Sequence, residues 1–372
     1  MDARTVVPPS LAGPVRLRPF RASMLQPGLV GDPASSRLFA RPWRGVGGRV
    51  ENWERRRRLT TDASPAVYVH EYTAEGRTVR GLVGLLDVTN RAEDPGAAAV
   101  VPHEEIHPRQ SDELADRMAQ MGLQPAPIQL VYTAPPELAS LVERVTGTAP
   151  MRQYADHADQ RHRIWPIRTP EDLEALQRSL TDAQLLIADG HHRYAAYLRL
   201  RARDPHGGFD AGLAMLVDQA TTPLHVGAIH RVLHRVRLDD VAAAARLIGT
   251  ALEYRPAGVR PEPTGELVVA TDGHQWATLK LPRPGDRTVV EMLHERLIPA
   301  LPRGPWGVDH HHTVEAAREA LRHRAGVALL VPAPTFHEVL ATAAAGHTLP
   351  EKATSFQPKP SLGALMRVLR AE

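Results

Sequence analysis

Leu185-Leu-Ile-Ala-Asp-Gly-His-His-Arg193 is an apolar run that turns polar at Asp189-Gly190 and leads into helical spacing. A short apolar run closed by a turn signal reads as a buried strand, here residues 184–188, and the residues after it read as a helix from about His191 to Arg203. The Asp-Gly turn between them sets backbone N–H groups and the positive end of a helix dipole beside two imidazoles and a guanidinium. Such a corner suits an anion. Gly190 allows close approach, His191 and His192 flank it, and Arg193 is a forked donor for phosphate or carboxylate. Asp189 is placed to hold a magnesium ion or to orient His191. The plainer alternative is a turn in which Asp189 caps the helix and both histidines are merely exposed.

Working outward, strands and helices alternate without a strict βαβ rhythm. Residues 66–72 and 80–88 are β-rich runs joined across Ala74-Glu-Gly76, which predicts a hairpin, and residues 97–101 read as a third strand. A helix over 112–121, a strand over 127–132 and helices over 135–145 and 171–180 lead up to the corner. Strands over 212–217 and 224–229 and a helix over 239–247 follow it. A second alternation begins with 266–270 and 275–279, separated by Thr271-Asp-Gly-His274, whose Asp-Gly is a hairpin signal. Helices over 289–297, 313–323 and 336–345 and a strand over 327–331 complete it. The first 65 residues are rich in Pro, Gly and Arg and predict irregular chain apart from a short helix near Trp53. The expected fold is α+β, mixed sheets flanked by helices in two lobes, residues 1–235 and 236–372. No fixed-period repeat, dinucleotide glycine fingerprint or Walker loop is present.

Composition narrows the function classes. With 372 residues, 43% hydrophobic and 23% charged, the chain is a folded protein long enough for two ordinary domains. No apolar run approaches the roughly 20 residues of a membrane span, and Met1-Asp-Ala-Arg-Thr opens without an apolar signal core, so no membrane partner and a cytoplasmic location are expected. The absence of cysteine removes disulfides, thiolate zinc sites and cysteine nucleophiles. A net charge of +3 from dispersed basic residues argues against nucleic acid. The run Arg55-Arg-Arg-Arg58 is the exception; Glu51 and Glu54 precede it at helical spacing, which favours a solvated, ion-paired helix face over a phosphate patch. Of the basic residues 42 are arginine and only three are lysine, Lys280, Lys352 and Lys359. Lys352 and Lys359 lie in one short stretch near the C-terminus, as if a compact ammonium were needed there for a phosphate or a buried carboxylate, with chance clustering as the competing reading.

Two further clusters carry chemistry. His103-Glu-Glu-Ile-His107 matches the zinc-peptidase pattern H-E-x-x-H, which works only inside a helix, where both histidines share one face. A strand precedes it, and Pro102 and Pro108 bracket it, so a zinc hydrolase through His103, Glu104 and His107 is the least favoured function. A Glu beside a His at a strand end suits a general base instead, with Glu104 taking the proton of an attacking hydroxyl; a surface loop with scattered charges is the competing reading. Asp309-His-His-His-Thr313 holds three imidazoles, but adjacent side chains diverge, and Asp309 or Thr313 also suits the start of the next helix. His162, Trp165, His230 and Arg231 are polar or amphipathic residues around expected strands.

Asp189-Gly-His-His-Arg-Tyr-Ala-Ala196 resembles the hallmark of the bacterial domain of unknown function family 1015. Arg18-Pro-Phe-Arg21, Pro102-His-Glu104, His230-Arg231 and Lys352-Ala-Thr-Ser-Phe-Gln-Pro-Lys359 match the family in the same order, so the likeness spans most of the chain. The corner is also similar to one in the ParB-like and free serine kinase superfamily, where it binds nucleotide phosphates. This chain lacks the family's Pro-Pro-Tyr-Asp segment after the opening motif, and Ala353, Ser355 and Gln357 replace residues of its usual Lys-Ser-Thr-Tyr-Phe-Tyr-Pro-Lys. The resemblance implies a phosphate- or nucleotide-handling protein, with ATP or ADP and Mg2+ as expected cofactors and a small hydroxylated metabolite such as serine as acceptor. A non-catalytic nucleotide or metabolite sensor is the alternative. The implied site is His103, Glu104 and Asp189 for chemistry, Gly190, His191, His192, Arg193, Lys352 and Lys359 for phosphate, and His230 with Arg231 beside them. In this arrangement the C-terminal tail returns to a site between the lobes.

Overall fold

Val67–Ala74 (β1) and Arg77–Asp87 (β2) form the expected hairpin, pairing antiparallel across Glu75-Gly76. Both turn residues have positive φ, 51° and 75°, as a two-residue turn matched to the strand twist requires. In the computed structural model, which describes residues 5–285 and 287–369, this hairpin lies within a mixed sheet. The opening Met1-Asp-Ala-Arg is outside the described residues.

The sheet also contains Ala98–Val101 (β3), Ile128–Tyr132 (β4), Arg152–Ala155 (β5), Arg161–Ile167 (β6), Leu185–Asp189 (β7) and Ala211–Asp218 (β8). After an edge strand Leu11–Ala12 the order is β3-β7-β4-β8-β2-β1-β6-β5, and Leu17–Arg18 adds to β2. β3 runs parallel to β7 and β4 parallel to β8; the other pairs are antiparallel. Every residue of β8 is buried, which is why it reads as a continuous apolar run rather than an alternating one.

Helices Val46–Arg55 (α1), Pro108–Met121 (α2), Pro136–Thr146 (α3), Pro170–Ser179 (α4) and His191–Arg203 (α5) accompany the sheet. Proline opens α2, α3 and α4, at the position where its missing N–H costs nothing. Leu82, Leu130, Leu138, Trp165, Ile187, Tyr194 and Leu216 form much of the core. These elements belong to a first compact unit, the residues up to Leu224 together with the segment from Pro358.

The second unit, His225–Gln357, has an antiparallel sheet of its own. Its strands are His230–His234 (β9), Leu252–Tyr254 (β10), Leu267–Thr271 (β11), Trp276–Lys280 (β12), Val308–His311 (β13) and Gly326–Leu330 (β14), in the order β10-β12-β11-β14-β9-β13. Leu238–Leu247 (α6), Val289–Met292 (α7), Val314–His323 (α8) and Phe336–Ala344 (α9) accompany them, α7 running on into a wider π turn over Leu293–Leu297. The molecule is α+β with mixed and antiparallel sheets, and no helix among the described residues is long and apolar enough to cross a membrane.

Several expectations need correction. The strand placed over 224–229 is short, His225–Gly227, and pairs with Ser355–Gln357 of the tail; His230 and Arg231 begin the next strand rather than follow one. α1 ends at Arg55, so the arginine run unwinds from the helix instead of decorating it. Arg56–Arg58 are solvent-exposed, and Arg58 lies over the Trp53 ring at 5.9 Å. The opening 65 residues contain short strands as well as the helix, with Ser23–Leu25 paired to Leu59–Thr61. β6 has no counterpart among the expected elements.

Candidate functional site

Leu185↔Val100 and Leu186↔Val101 set β7 and β3 side by side in the same direction, so both chains leave the sheet at one edge. Residues beyond the carboxyl ends of adjacent parallel strands converge, a common place for a ligand in mixed α/β sheets. From β3 come His103, Glu104 and His107; from β7 come Asp189, Gly190, His191, His192 and Arg193.

Gly190 makes the bend. Its φ is +96°, and a Cβ there would stand 2.9 Å from both the Arg193 guanidinium and Ile128 Cγ2. α5 begins directly after it, the first bond inside the helix running from Tyr194 N–H to the Gly190 carbonyl at 2.8 Å. The N–H groups of the first turn therefore precede the helical ladder, and the positive helix end faces the corner.

Asp189 does not cap the helix. One oxygen accepts from Arg193 Nη2 at 2.5 Å and the other from Lys359 Nζ at 2.5 Å. Burial works to raise this carboxyl, but the charges and hydrogen bonds of Arg193 and Lys359 outweigh it and hold it below the usual aspartate range. Arg193 also donates through Nη1 to the carbonyl of Pro127 at 2.5 Å and to that of Ala126 at 3.3 Å. The fork expected to grip an anion thus binds the carboxylate and the loop before β4. Lys359, half-exposed, brings its ammonium to the same carboxylate from the tail.

The two histidines are not merely exposed. His191 is buried, and its Nε2 accepts the backbone N–H of His103 at 3.3 Å; His192 Nε2 accepts that of His107 at 3.1 Å. These bonds stitch residues 103–107 to the start of α5. Burial pushes the His103 ring down to about 3, a backbone hydrogen bond to Ile187 opposing it in part. Burial, with His103 and His192 nearby, pushes His191 well below its ordinary value. Both rings are neutral at physiological pH. Glu104 Oε1 stands 3.8 Å from His103 Nε2, a polar contact rather than an ion pair while His103 is neutral.

Residues 103–107 are not helical, α2 starting only at Pro108, so His103 and His107 share no helix face and the zinc-peptidase geometry is absent. Among the described residues no group of three His, Cys, Asp or Glu side chains converges as a metal-holding set. With both Asp189 oxygens bonded to cations, the residues present do not fit a protein-held Mg2+ at this corner.

Next to the corner is a polar layer that the sequence reading leaves unassigned. Gln129, opposite Asp189 in the ladder, donates to the Tyr72 hydroxyl at 3.0 Å, and that hydroxyl donates to the Pro358 carbonyl at 2.6 Å. Asp156, His162 and His70 form a buried chain with nitrogen and oxygen contacts of 3.2 and 2.9 Å, and Ser361 donates to Asp156. Pro358, Lys359 and Ser361 are thereby fixed on the first unit. The alternation of polar residues in β6 is the one signal that could have revealed this layer, and Pro166 obscures it.

His230, Arg231 and Lys352 lie in the second unit. Arg231 is fully buried and donates to His294 Nε2 at 3.2 Å, to the Ile229 carbonyl, and to the Lys352 carbonyl at 3.1 Å. His230 Nδ1 accepts the Val331 N–H at 3.3 Å. Burial, seconded by the charge of Arg231, pushes His230 and His310 down to about 4 and His294 to about 3. Asp309 accepts from His234 at 2.8 Å, and Thr313 caps α8. The three consecutive histidines are therefore spread along and beyond a strand rather than gathered.

The profile of a family described as "Protein of unknown function (DUF1015)" matches residues 40–301. No curated protein matches. Similar solved structures include a free serine kinase in complex with AMP, 16% identical, the match covering 73% of this chain and 89% of that one at a TM-score of 0.41. SbnI with a C-terminal truncation from Staphylococcus aureus is 12% identical, with coverages of 77% and 88% and a TM-score of 0.44. A conserved hypothetical protein from Pyrococcus furiosus is 15% identical, with coverages of 73% and 93% and a TM-score of 0.40.

Proposed function

Because this chain belongs to the DUF1015 family of proteins of unknown function, its chemistry has to be read from its own site, and we propose that the first unit binds a nucleotide phosphate at the Asp189-Gly190 corner and transfers a phosphoryl group to a small hydroxylated metabolite. The carrying observation is that β3 and β7 end side by side, which sets Glu104 beside the first turn of α5 while Lys359 reaches the same corner from the tail. The helix end and the lysine ammonium suit a phosphate, and the likeness of Asp189–Arg193 to a nucleotide-binding corner makes a nucleotide the favoured carrier.

In this reading Glu104 accepts the proton of the acceptor hydroxyl as its oxygen attacks the terminal phosphorus. The bond from that phosphorus to the bridging oxygen breaks, its electron pair leaving with the shortened nucleotide. Asp189 and Arg193 act on each other: the carboxylate anchors the guanidinium, the guanidinium ties down the loop at Ala126-Pro127, and the bend between them keeps its shape. His103 and His191, neutral, hold the Glu104 loop against the helix. Lys352, His230 and Arg231 enter this proposal only as members of the matching motifs.

Titration of the full chain with ATP, ADP and CTP by calorimetry tests the binding claim. Lys359→Ala, at a half-exposed side chain, is expected to weaken nucleotide binding about tenfold, the worth of one charge-assisted hydrogen bond. Glu104→Gln is expected to leave affinity within about twofold while lowering any phosphoryl transfer to serine-like acceptors by roughly 100-fold or more. No heat with any nucleotide overturns the reading. Binding without product under any condition assigns the corner to sensing, a role favoured by Asp189 and Arg193 being bound to each other.

A further inference from the structure

Tyr132 and Asp218 end the parallel strands β4 and β8 and are direct partners in the ladder. They lie at the far end of β4 from Gln129, the partner of Asp189, about 10 Å along the strand at 3.3 Å per residue. A pocket of about 280 Å³ opens here between the strand ends and α3. Its walls are mostly apolar, with Leu82 and Leu216 from the sheet and Leu138 and Val142 from the helix.

The polar groups in the wall are what make it a site. Tyr132 is only 4% exposed, and its hydroxyl, which makes no hydrogen bond to any described residue, is open to the pocket rather than sealed in the core, so a ligand there can reach it. Burial, with the Asp218 carboxylate adding to it, keeps the phenol protonated. One oxygen of Asp218 accepts the N–H groups of Ala134 at 3.0 Å and Ala220 at 3.1 Å, which fixes the carboxylate and leaves its second oxygen for a ligand. Glu143 stands at the exposed rim. Arg80 also lines the pocket; its Nε and Nη2 both donate to Glu71, but Arg163 shares that carboxylate, so Arg80 keeps part of its charge. The wall therefore offers apolar surface, an accessible hydroxyl and, with Asp218 and Glu143 against Arg80, one surplus negative charge.

We infer that this pocket binds a small primary amine with an aliphatic or aromatic body, its ammonium held by Asp218 and the Tyr132 oxygen and its body packed against Leu82, Leu138, Val142 and Leu216. The site is separate from the phosphate corner and stands or falls independently of it. An amine bound here is placed as an effector rather than an acceptor, because the two sites are at opposite ends of the same strand.

Saturation-transfer NMR and calorimetry on the full chain, with phenethylamine and isoamylamine as probes and 2-phenylethanol and 3-phenylpropionate as uncharged and anionic controls, test this. The amines are expected to bind at least tenfold more tightly than either control. Tyr132→Phe is expected to weaken them several-fold, and Ala139→Leu, which fills the pocket from α3 without touching its polar groups, to abolish binding while the protein stays folded. Failure of both amines to bind, equal binding of amine, alcohol and acid, or unchanged binding in Ala139→Leu each overturns the inference. Loss of nucleotide binding in the separate titration leaves it untouched.

Discussion

Gly190 carries more of this architecture than any charged neighbour. With φ at +96° and two groups within 2.9 Å of where a Cβ would sit, the position disfavours every L side chain on both conformational and steric grounds. Gly190→Ala is expected to cost about 2 kcal/mol and to lower the melting temperature of the first unit by roughly 4–8 °C in calorimetry. A melt unchanged within 1–2 °C would mean that the bend relaxes freely. Asp189 illustrates the limit of motif reading at this scale. The sequence shows an acid beside a glycine, two histidines and an arginine, and each is a plausible ligand for something outside the protein. In the folded chain the acid and the arginine meet each other at 2.5 Å, and the histidine rings accept backbone N–H groups of residues 103 and 107.

Between elements, the joint of the 103–107 segment to α5 depends on neutral imidazoles. The folded-state value of His103 lies near 3 and that of His191 well below 6.5, whereas in the unfolded chain each titrates near 6.5. The unfolded state therefore takes up protons first as pH falls. Stability contributed by the neutral rings is complete above about pH 6.5 and declines below it, by up to roughly 1.4 kcal/mol per pH unit for each group, until the folded protein also protonates. The urea midpoint is expected to fall from about pH 6.5 downward rather than only below pH 5, and His191→Gln, whose amide oxygen can still accept the His103 N–H, is expected to flatten that slope. A slope identical to the parent's would show that these rings are not coupled to unfolding. Most elements around this joint were legible because their apolar period is unambiguous: α5 falls on residues 191–203 as read, and β3, β7 and β8 differ from expectation by a residue or so at their ends. β6 was not, because Pro166 in a run of alternating polarity argues against a strand unless one knows that its flank is beyond the reach of β5, which pairs only with residues 161–164.

For the molecule as a whole, the division into two units is discontinuous, and the segment from Pro358 completes the first one. Leu365 and Met366 are buried there, Met366 pairs with Ser23, and Lys359 and Ser361 meet Asp189 and Asp156. Removal of residues 358–372 is expected to cost the first unit at least about 3 kcal/mol from the two apolar side chains alone. By hydrogen exchange, protection should fall at residues 23–25 and 185–189 and persist over 230–234 and 326–330. Uniform loss across both ranges, or none in either, would contradict this division.

The sequence by itself determined the family, the α+β class, the corner at Asp189-Gly190 and the pairing of lysine with that corner's chemistry as a question worth asking, because local period, turn chemistry and residue type are properties of neighbours in the chain. Only the tertiary structure decided that Lys359 meets Asp189 within the first unit while Lys352 gives its carbonyl to Arg231 in the second, and that Tyr132 opens its hydroxyl to a pocket. The physical reason is that a side chain's partner is set by strand register and by which segments return over the sheet, and those are contacts between residues far apart in sequence.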